Sequence, residues 1–262
     1  MLNKNHEFAD LPRRIISGSI FALLGFGCLF YGGIVNALFL GGCLGVLCWE
    51  VSYIFSKGSL RLTLATLIMP ILLSLAPILN YYDFYPKLFI LQCCLIILFF
   101  SKKNFLKIFC FLYIALSILM FQGILQSDKL LDNLYHVYFV IMVVVASDIG
   151  GYVFGKLLGG PKIIEKISPN KTWSGSLGGI VLAVTSSIAF LPFIEYSIAV
   201  TCILTIFLAI GAQIGDFFES WLKRKFKVKD SGVLLPGHGG FFDRLDGLLA
   251  AAPIYMGLSY VL

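Results

Sequence analysis

Two pairs of carboxylates with helical spacing flank the most polar stretch of the sequence: Asp216 with Glu219, and Asp243 with Asp246. Residues three apart on a helix share a face, so each pair can present its oxygens in one direction. Two helix ends aimed at one point would make a nest of hard oxygen ligands, which suits Mg²⁺ carrying a bound phosphate. Between and beside the pairs lie Lys223, Arg224, Lys225, Lys227, Lys229 and Arg244, the complement expected for a polyphosphate. Gly237, Gly239 and Gly240 allow a sharp turn and a close backbone approach to an anion. His238, among them, suits a general base, a phosphate ligand or a loop-ordering group. The lysines alone would also fit a solvated loop; the carboxylates and glycines together point to a site.

A second polar segment runs from Asp148 to Thr172 and carries Gly150, Gly151, Gly155, Lys156, Gly159, Gly160, Lys162, Lys166, Ser168, Lys171 and Thr172. Gly150 to Lys156 nearly spells a P-loop. Leu157 stands where the metal-binding hydroxyl belongs, and an apolar helix precedes it where a strand is required, so that reading fails. Gly155 with Gly159, and Gly175 with Gly179, have the small-xxx-small spacing of closely packed helices. Asp148 and Glu50 lie inside apolar runs, where a charge costs about 2.5–3.5 kcal/mol on insertion scales. Asp148 suits either substrate or metal binding, or pairing with a lysine such as Lys171. Glu50 is expected to meet a polar partner inside the bundle.

The elements that must position these groups are membrane helices. The chain is 59% hydrophobic and 13% charged, against roughly half and a quarter in soluble domains, and its mean hydropathy is +0.92. A water-soluble globule lacks the polar surface it would need. A span takes roughly 20 apolar residues, and apolar runs predict nine: 15–35, 37–55, 62–79, 88–100, 105–125, 138–158, 175–192, 194–214 and 245–262. The first reads as a retained span, because it is long and has no clear cleavage site. The seven cysteines sit within apolar runs and lack zinc-site spacing, so they read as small buried hydrophobes.

Nine spans place every Lys and Arg except Lys87 and Lys129 on the side of the N-terminus. Basic residues are retained in the cytoplasm, so the N-terminus and the loops holding both polar segments are expected there. The fold class is therefore all-α and polytopic, a single integral membrane domain over 1–262. Its scaffold spans cover about 1–135 and its catalytic spans and loops about 136–262. The basic balance has a membrane explanation, and no nucleic acid partner is expected.

The stretch 220–246 resembles the signature of the phosphatidate cytidylyltransferase (CDP-diglyceride synthetase) family. Ser220, Lys223-Arg224, Lys229-Asp230, Gly232, Pro236, His238-Gly239-Gly240, Asp243-Arg244 and Asp246 carry the resemblance. Ser168-Pro169-Asn170-Lys171-Thr172-Trp173 resembles a second family element; there the family usually has Glu where this chain has Ser174. The resemblance implies a homodimeric, Mg²⁺-dependent enzyme of about nine membrane helices, in which a second, monovalent cation such as K⁺ lies near the Mg²⁺. It implies metal binding by Asp216, Asp243 and Asp246, and catalytic roles for Lys229, Asp230, His238 and Arg244. Substrate binding falls to Ser168, Lys171, Thr172, Ser220, Lys223, Arg224, Gly239 and Gly240.

The implied reaction joins CTP and phosphatidic acid to give CDP-diacylglycerol and pyrophosphate, at the cytoplasmic face of a bacterial inner membrane. The residues agree with that chemistry. A phosphatidate phosphate is already a nucleophile, so alignment and charge stabilisation suffice. A CTP-dependent lipid-alcohol kinase would share much of the machinery but attack the γ-phosphate. A lipid or anion transporter would place its charges at the midplane, usually with an inverted repeat. Here the charges gather at one face.

Overall fold

The computed structural model describes residues 11–55, 105–125, 130–232 and 239–261. Among them the regular elements are helical: α1 (Leu11–Tyr31), α2 (Gly33–Phe55), α3 (Phe105–Ile124), α4 (Leu130–Leu158), α5 (Trp173–Ser187), α6 (Ile198–Phe226) and α7 (Phe242–Ser259), with a 3₁₀ turn at Ile188–Phe190. Among the described residues five helices are long and apolar enough to cross a membrane: α2, α3, α4 from Asn133, α5 with its 3₁₀ extension, and α6. The chain is thus a helical, multi-pass membrane protein. The spans expected at 62–79 and 88–100 lie outside the described residues.

The described chain divides into two compact units. The first takes residues up to Leu112 together with Val228–Arg244, and the second takes Tyr113–Lys227 and Leu245–Leu262. In the first unit α1 and α2 form a hairpin whose turn is a pair of glycines, Gly32 and Gly33, at φ of 63° and 51°. Only glycine adopts such angles without steric cost. Phe21 of α1 meets Phe241 edge-on at 5.0 Å between ring centroids.

The second unit is built on backbone-to-backbone packing of α4 against α5. A Cβ at Gly150 would lie 2.8 Å from the Gly178 carbonyl oxygen, and one at Gly175 would meet Gly151 and, at 3.1 Å, the Cα of Gly155. Gly155, Gly175 and Gly179 therefore serve the close packing expected of them. Gly159 does not: at φ +59° it ends α4, its N–H donating to the Gly155 carbonyl at 3.2 Å. That is the left-handed stop common at helix ends. Gly150 to Lys156 lie within α4 itself, which excludes a phosphate loop there.

From Gly159 the chain folds back on itself. Lys162 and Thr172 form an antiparallel bridge, and Ile163 N–H donates to the Lys171 carbonyl at 3.1 Å. Thr172 then caps α5, accepting the Gly175 N–H at 3.1 Å. Ser197 caps α6 in the same manner, accepting from Val200 at 3.3 Å.

α6 departs from expectation. The apolar run ends at 214, yet the helix continues to Phe226. Past Ile214 the pattern turns amphipathic, with Leu222 fully buried and Lys223, Arg224 and Lys225 complementing the C-terminal dipole. Ser220, Lys223 and Arg224 are therefore helical residues.

Candidate active site

Asp216, Glu219 and Asp246 converge in the second unit, each offering an oxygen within 4.8 Å of the others. Two features of α6 bring this about. Asp216 and Glu219 share a face through their spacing of three, and Gly215 removes the side chain that would hold α7 away. A Cβ at Gly215 would run into the Asp246 backbone and come within 2.8 Å of the Ala250 Cβ. Gly211, one turn earlier, makes room for Ile254 in the same way. The Asp246 carboxylate also accepts the Gly247 N–H at 2.8 Å.

Two lysines attend the cluster. Lys171 Nζ donates to Asp216 Oδ2 and lies 4.5 Å from the centroid of the Phe217 ring. Lys223 Nζ is 3.0 Å from Glu219 Oε2, an i,i+4 pair along α6. Ser220 Oγ reaches toward Asp216 Oδ1 at 3.5 Å. Lys171 pairs with Asp216 rather than with Asp148, while Asp148 is exposed and lines a cavity.

That cavity, about 260 Å³, opens between α4, α5, α6 and the 161–172 segment, and Asp148, Lys171, Thr172, Gln213 and Asp216 line it. Gln213 ties its walls together. Its Nε2 donates to Ser147 Oγ at 3.2 Å and to the Ser176 carbonyl at 3.1 Å, and its Oε1 accepts from Ser176 Oγ at 2.5 Å. One side chain on α6 thus sets the register of α4 and α5 one turn before Asp216. The sequence reading passed over Gln213; a polar amide inside an apolar run was the available signal.

Ser168 accepts the Lys171 N–H at 3.3 Å through its carbonyl and donates its own N–H to the Ile164 carbonyl at 3.0 Å, so it shapes the turn that opens the second family element. Arg224 Nε donates to the Ile167 carbonyl at 3.4 Å, tying the end of α6 to that turn. Ser174 hydrogen-bonds the Gly159 carbonyl and lies 3.0 Å from Thr172 Oγ1.

Lys229, Asp230, Gly239, Gly240, Asp243 and Arg244 belong to the first unit, and His238 lies outside the described residues. Lys229 and Asp230 are exposed, while Gly240 is buried. Gly239 has φ +84°, the left-handed turn expected of it. Asp243 Oδ2 accepts the N–H groups of Gly240 at 2.9 Å and Ser231 at 3.2 Å. Glu50, fully buried on α2, does meet polar partners. Its Oε1 accepts the Phe241 N–H at 2.7 Å, and its Oε2 accepts the Phe242 N–H at 2.7 Å and Ser231 Oγ at 3.1 Å.

Residues 12–262 match the model of the cytidylyltransferase family. Over 122 residues the chain is 48% identical to a phosphatidate cytidylyltransferase of Brucella melitensis, covering 45% of this chain and 44% of that protein. Over 148 residues it is 38% identical to a phosphatidate cytidylyltransferase of Staphylococcus saprophyticus, covering 56% of each. A Staphylococcus aureus protein of the same description is 36% identical over 148 residues, again covering 56% of each. The matched stretches span about half the length of these curated relatives.

Proposed function

Because the chain belongs to the cytidylyltransferase family, we propose that it transfers the cytidylyl group of CTP to phosphatidic acid, releasing pyrophosphate and leaving CDP-diacylglycerol. The observation that carries this reading is the convergence of Asp216, Glu219 and Asp246 within 4.8 Å, with Asp216 also lining a cavity that holds Asp148 and Lys171. Like charges at that separation repel by roughly 3–4 kcal/mol per pair at an effective dielectric near 20. Lys171 and Lys223 offset part of this repulsion, and a divalent cation would remove the remainder. Three carboxylates form a hard-oxygen donor set, which fits Mg²⁺ better than a softer metal. Asp216 and Asp246 are the ligands of this reading, with Glu219 as a further donor. The resemblance adds Asp243, and a K⁺ ion beside the Mg²⁺.

When bound, the metal would neutralise the nonbridging oxygens of the nucleotide and the departing pyrophosphate. The chain's own residues do the rest. Lys171, at the cavity edge, can exchange Asp216 for a phosphate oxygen as the nucleotide arrives. Lys223 and Arg224 supply further positive charge for the triphosphate and the lipid headgroup, and the family resemblance adds Arg244. The hydroxyls of Thr172 and Ser220 offer neutral donors for orientation. A phosphatidate oxygen forms the new bond to the CTP α-phosphorus, while the bond to the bridging oxygen of pyrophosphate breaks. No side chain has to act as a nucleophile. Holding the two phosphates in line supplies the rate.

Incubating the purified protein with α-³²P-CTP, phosphatidic acid and Mg²⁺ tests this directly. Label passing into lipid is the expected result. Label released as CDP would indicate a lipid kinase, and label left in CTP would remove nucleotidyl chemistry altogether.

The proposal extends to nine spans, a cytoplasmic N-terminus, a homodimer in the inner membrane and a site facing the cytoplasm. The distribution of Lys and Arg supports this topology. Single cysteines at Lys166 and Lys129 should react with an impermeant maleimide from the cytoplasmic and the external side respectively. Labelling of both from one side would overturn it.

A further inference from the structure

We propose that Glu50, on an N-terminal helix far in sequence from the signature, is a positioning residue for the reaction, holding both ends of the segment that carries Lys229, Asp230, Asp243 and Arg244. The Glu50 carboxylate is fully buried, and it joins three donors from two separate stretches of that segment. Ser231 Oγ comes from the stretch after α6, at 3.1 Å. The Phe241 and Phe242 N–H groups, each at 2.7 Å, come from the stretch that opens α7.

Those N–H groups stand at the start of α7, where backbone donors have no partner within the helix. A carboxylate there satisfies them and complements the helix dipole. Charge-assisted hydrogen bonds are short and roughly twice as strong as neutral ones, as the two distances of 2.7 Å reflect. The same carboxylate accounts for two signature glycines. A Cβ at Gly232 would strike Glu50, and a Cβ at Gly240 would overlap Ser231 Oγ and lie 3.0 Å from Glu50 Oε2. These positions are glycine because the segment closes around Glu50.

Asp243 completes the arrangement. Its Oδ2 accepts from Ser231 and Gly240, the neighbours of the atoms that Glu50 holds. Two carboxylates thus tie Ser231 to the stretch that opens α7, with Glu50 gripping the backbone of Phe241 and Phe242 and Asp243 bridging Ser231 and Gly240. Asp246 lies one turn further along the helix whose first turn Glu50 secures.

Glu50→Gln tests this, because it keeps the shape but replaces one oxygen with an amide NH₂. That group would face a backbone N–H, donor against donor. Kinetics rest on the cytidylyl transfer proposed above, so hydrogen–deuterium exchange is measured alongside. In the variant, kcat should fall by about tenfold while KM for CTP stays within about threefold, the size expected for one lost charge-assisted hydrogen bond. Exchange over 239–243 should speed up about tenfold, with the α5 segment 173–187 unchanged. Unaltered exchange over 239–243 would overturn the proposal, as would equal acceleration in both segments or an unchanged kcat. If Glu50→Gln fails to accumulate, Ser231→Ala removes one donor alone and should shift both readouts about two- to fivefold in the same directions. No shift in either readout would again overturn it. A wild-type protein without cytidylyl transfer would sink the proposed function, while the exchange contrast would still decide the role of Glu50 in the loop.

Discussion

Glu50 and Glu219 are both buried glutamates, 0% and 2% exposed, but their surroundings treat charge in opposite ways. Glu50 meets a serine hydroxyl and two backbone N–H groups, and its neighbour Asp243 takes two more N–H groups. Glu219 instead shares a space of 4.8 Å with two other carboxylates, against the ammonium groups of Lys171 and Lys223. In the first unit, negative charge is spread over fixed dipoles and holds the chain in place. In the second, it is concentrated beyond what the local lysines offset. Buried charge that is matched by hydrogen bonds organises structure, and crowded charge is suited to capture a cation.

Asp246→Asn should break this contrast most severely. The amide keeps the packing and an oxygen for Gly247 but removes a charge from the crowded cluster. Turnover should fall by about a thousandfold or more, the scale on which electrostatic stabilisation acts in active sites. The protein should still accumulate in membranes. Near-normal label transfer at saturating Mg²⁺ would exclude Asp246 from the metal site, and chelation with EDTA should abolish wild-type transfer to the same degree.

Asp243→Asn sharpens the comparison, because the proposed function counts the residue among the metal ligands while the structure gives it the hydrogen bonds of the organising region. An asparagine oxygen can still accept from Ser231 and Gly240, so the loop should hold. Turnover is expected to drop by about ten- to a hundredfold through the lost charge. Wild-type rates with wild-type Mg²⁺ dependence would leave Asp243 with the loop role alone.

Lys171→Met should act mainly on nucleotide binding. It removes the cation on Asp216 and leaves an apolar side chain of similar length. KM for CTP should rise by about tenfold, equivalent to about 1.4 kcal/mol of lost binding, with a smaller change in kcat. A kcat defect at unchanged KM would place Lys171 on the reacting phosphate rather than on the bound nucleotide.

Ser174→Glu should change least. Its hydroxyl holds the Gly159 carbonyl, and it lies in the first turn of α5, where an added carboxylate suits the helix dipole. Initial rates across Mg²⁺ concentrations should stay within about threefold of wild type. A larger gain in apparent Mg²⁺ affinity would show that a carboxylate at this position can act as a metal ligand.

Much of this organisation was legible in the residues themselves. The pair Asp216/Glu219 announces a helix face by spacing, and the glycines at 155, 175 and 179 announce close packing; Asp243, three residues before Asp246, instead turns its carboxylate to the N–H groups of Ser231 and Gly240 and is not part of the cluster. What spacing cannot reveal is a contact made through another element. Glu50 read as a costly charge in need of some polar partner, but not which one, because the partners it finds are the Ser231 hydroxyl and two backbone N–H groups nearly two hundred positions away, and backbone groups leave no trace in composition. Gly215 and Gln213 act by admitting or tying neighbouring helices, which depends on how those helices meet. The end of α6 escaped for a different reason. Hydropathy marks where a helix leaves the apolar phase, not where its hydrogen bonds stop.

The length of α6 has a physical consequence of its own. Its 29 residues extend about 43 Å at 1.5 Å per residue, against a hydrocarbon layer of about 30 Å. Counted from the Ser197 cap, Asp216 falls about 28 Å along the axis, and the basic last turn lies beyond it. In the proposed topology, with Ser197 at one edge of the hydrocarbon layer, the helix would act as a ruler that sets its carboxylates near the depth of lipid headgroups, where a lipid phosphate would reach them without its acyl chains leaving the bilayer. Bilayer thickness then becomes a reaction variable. A thicker membrane would draw the carboxylates below the phosphate plane, and a thinner one would lift them into water.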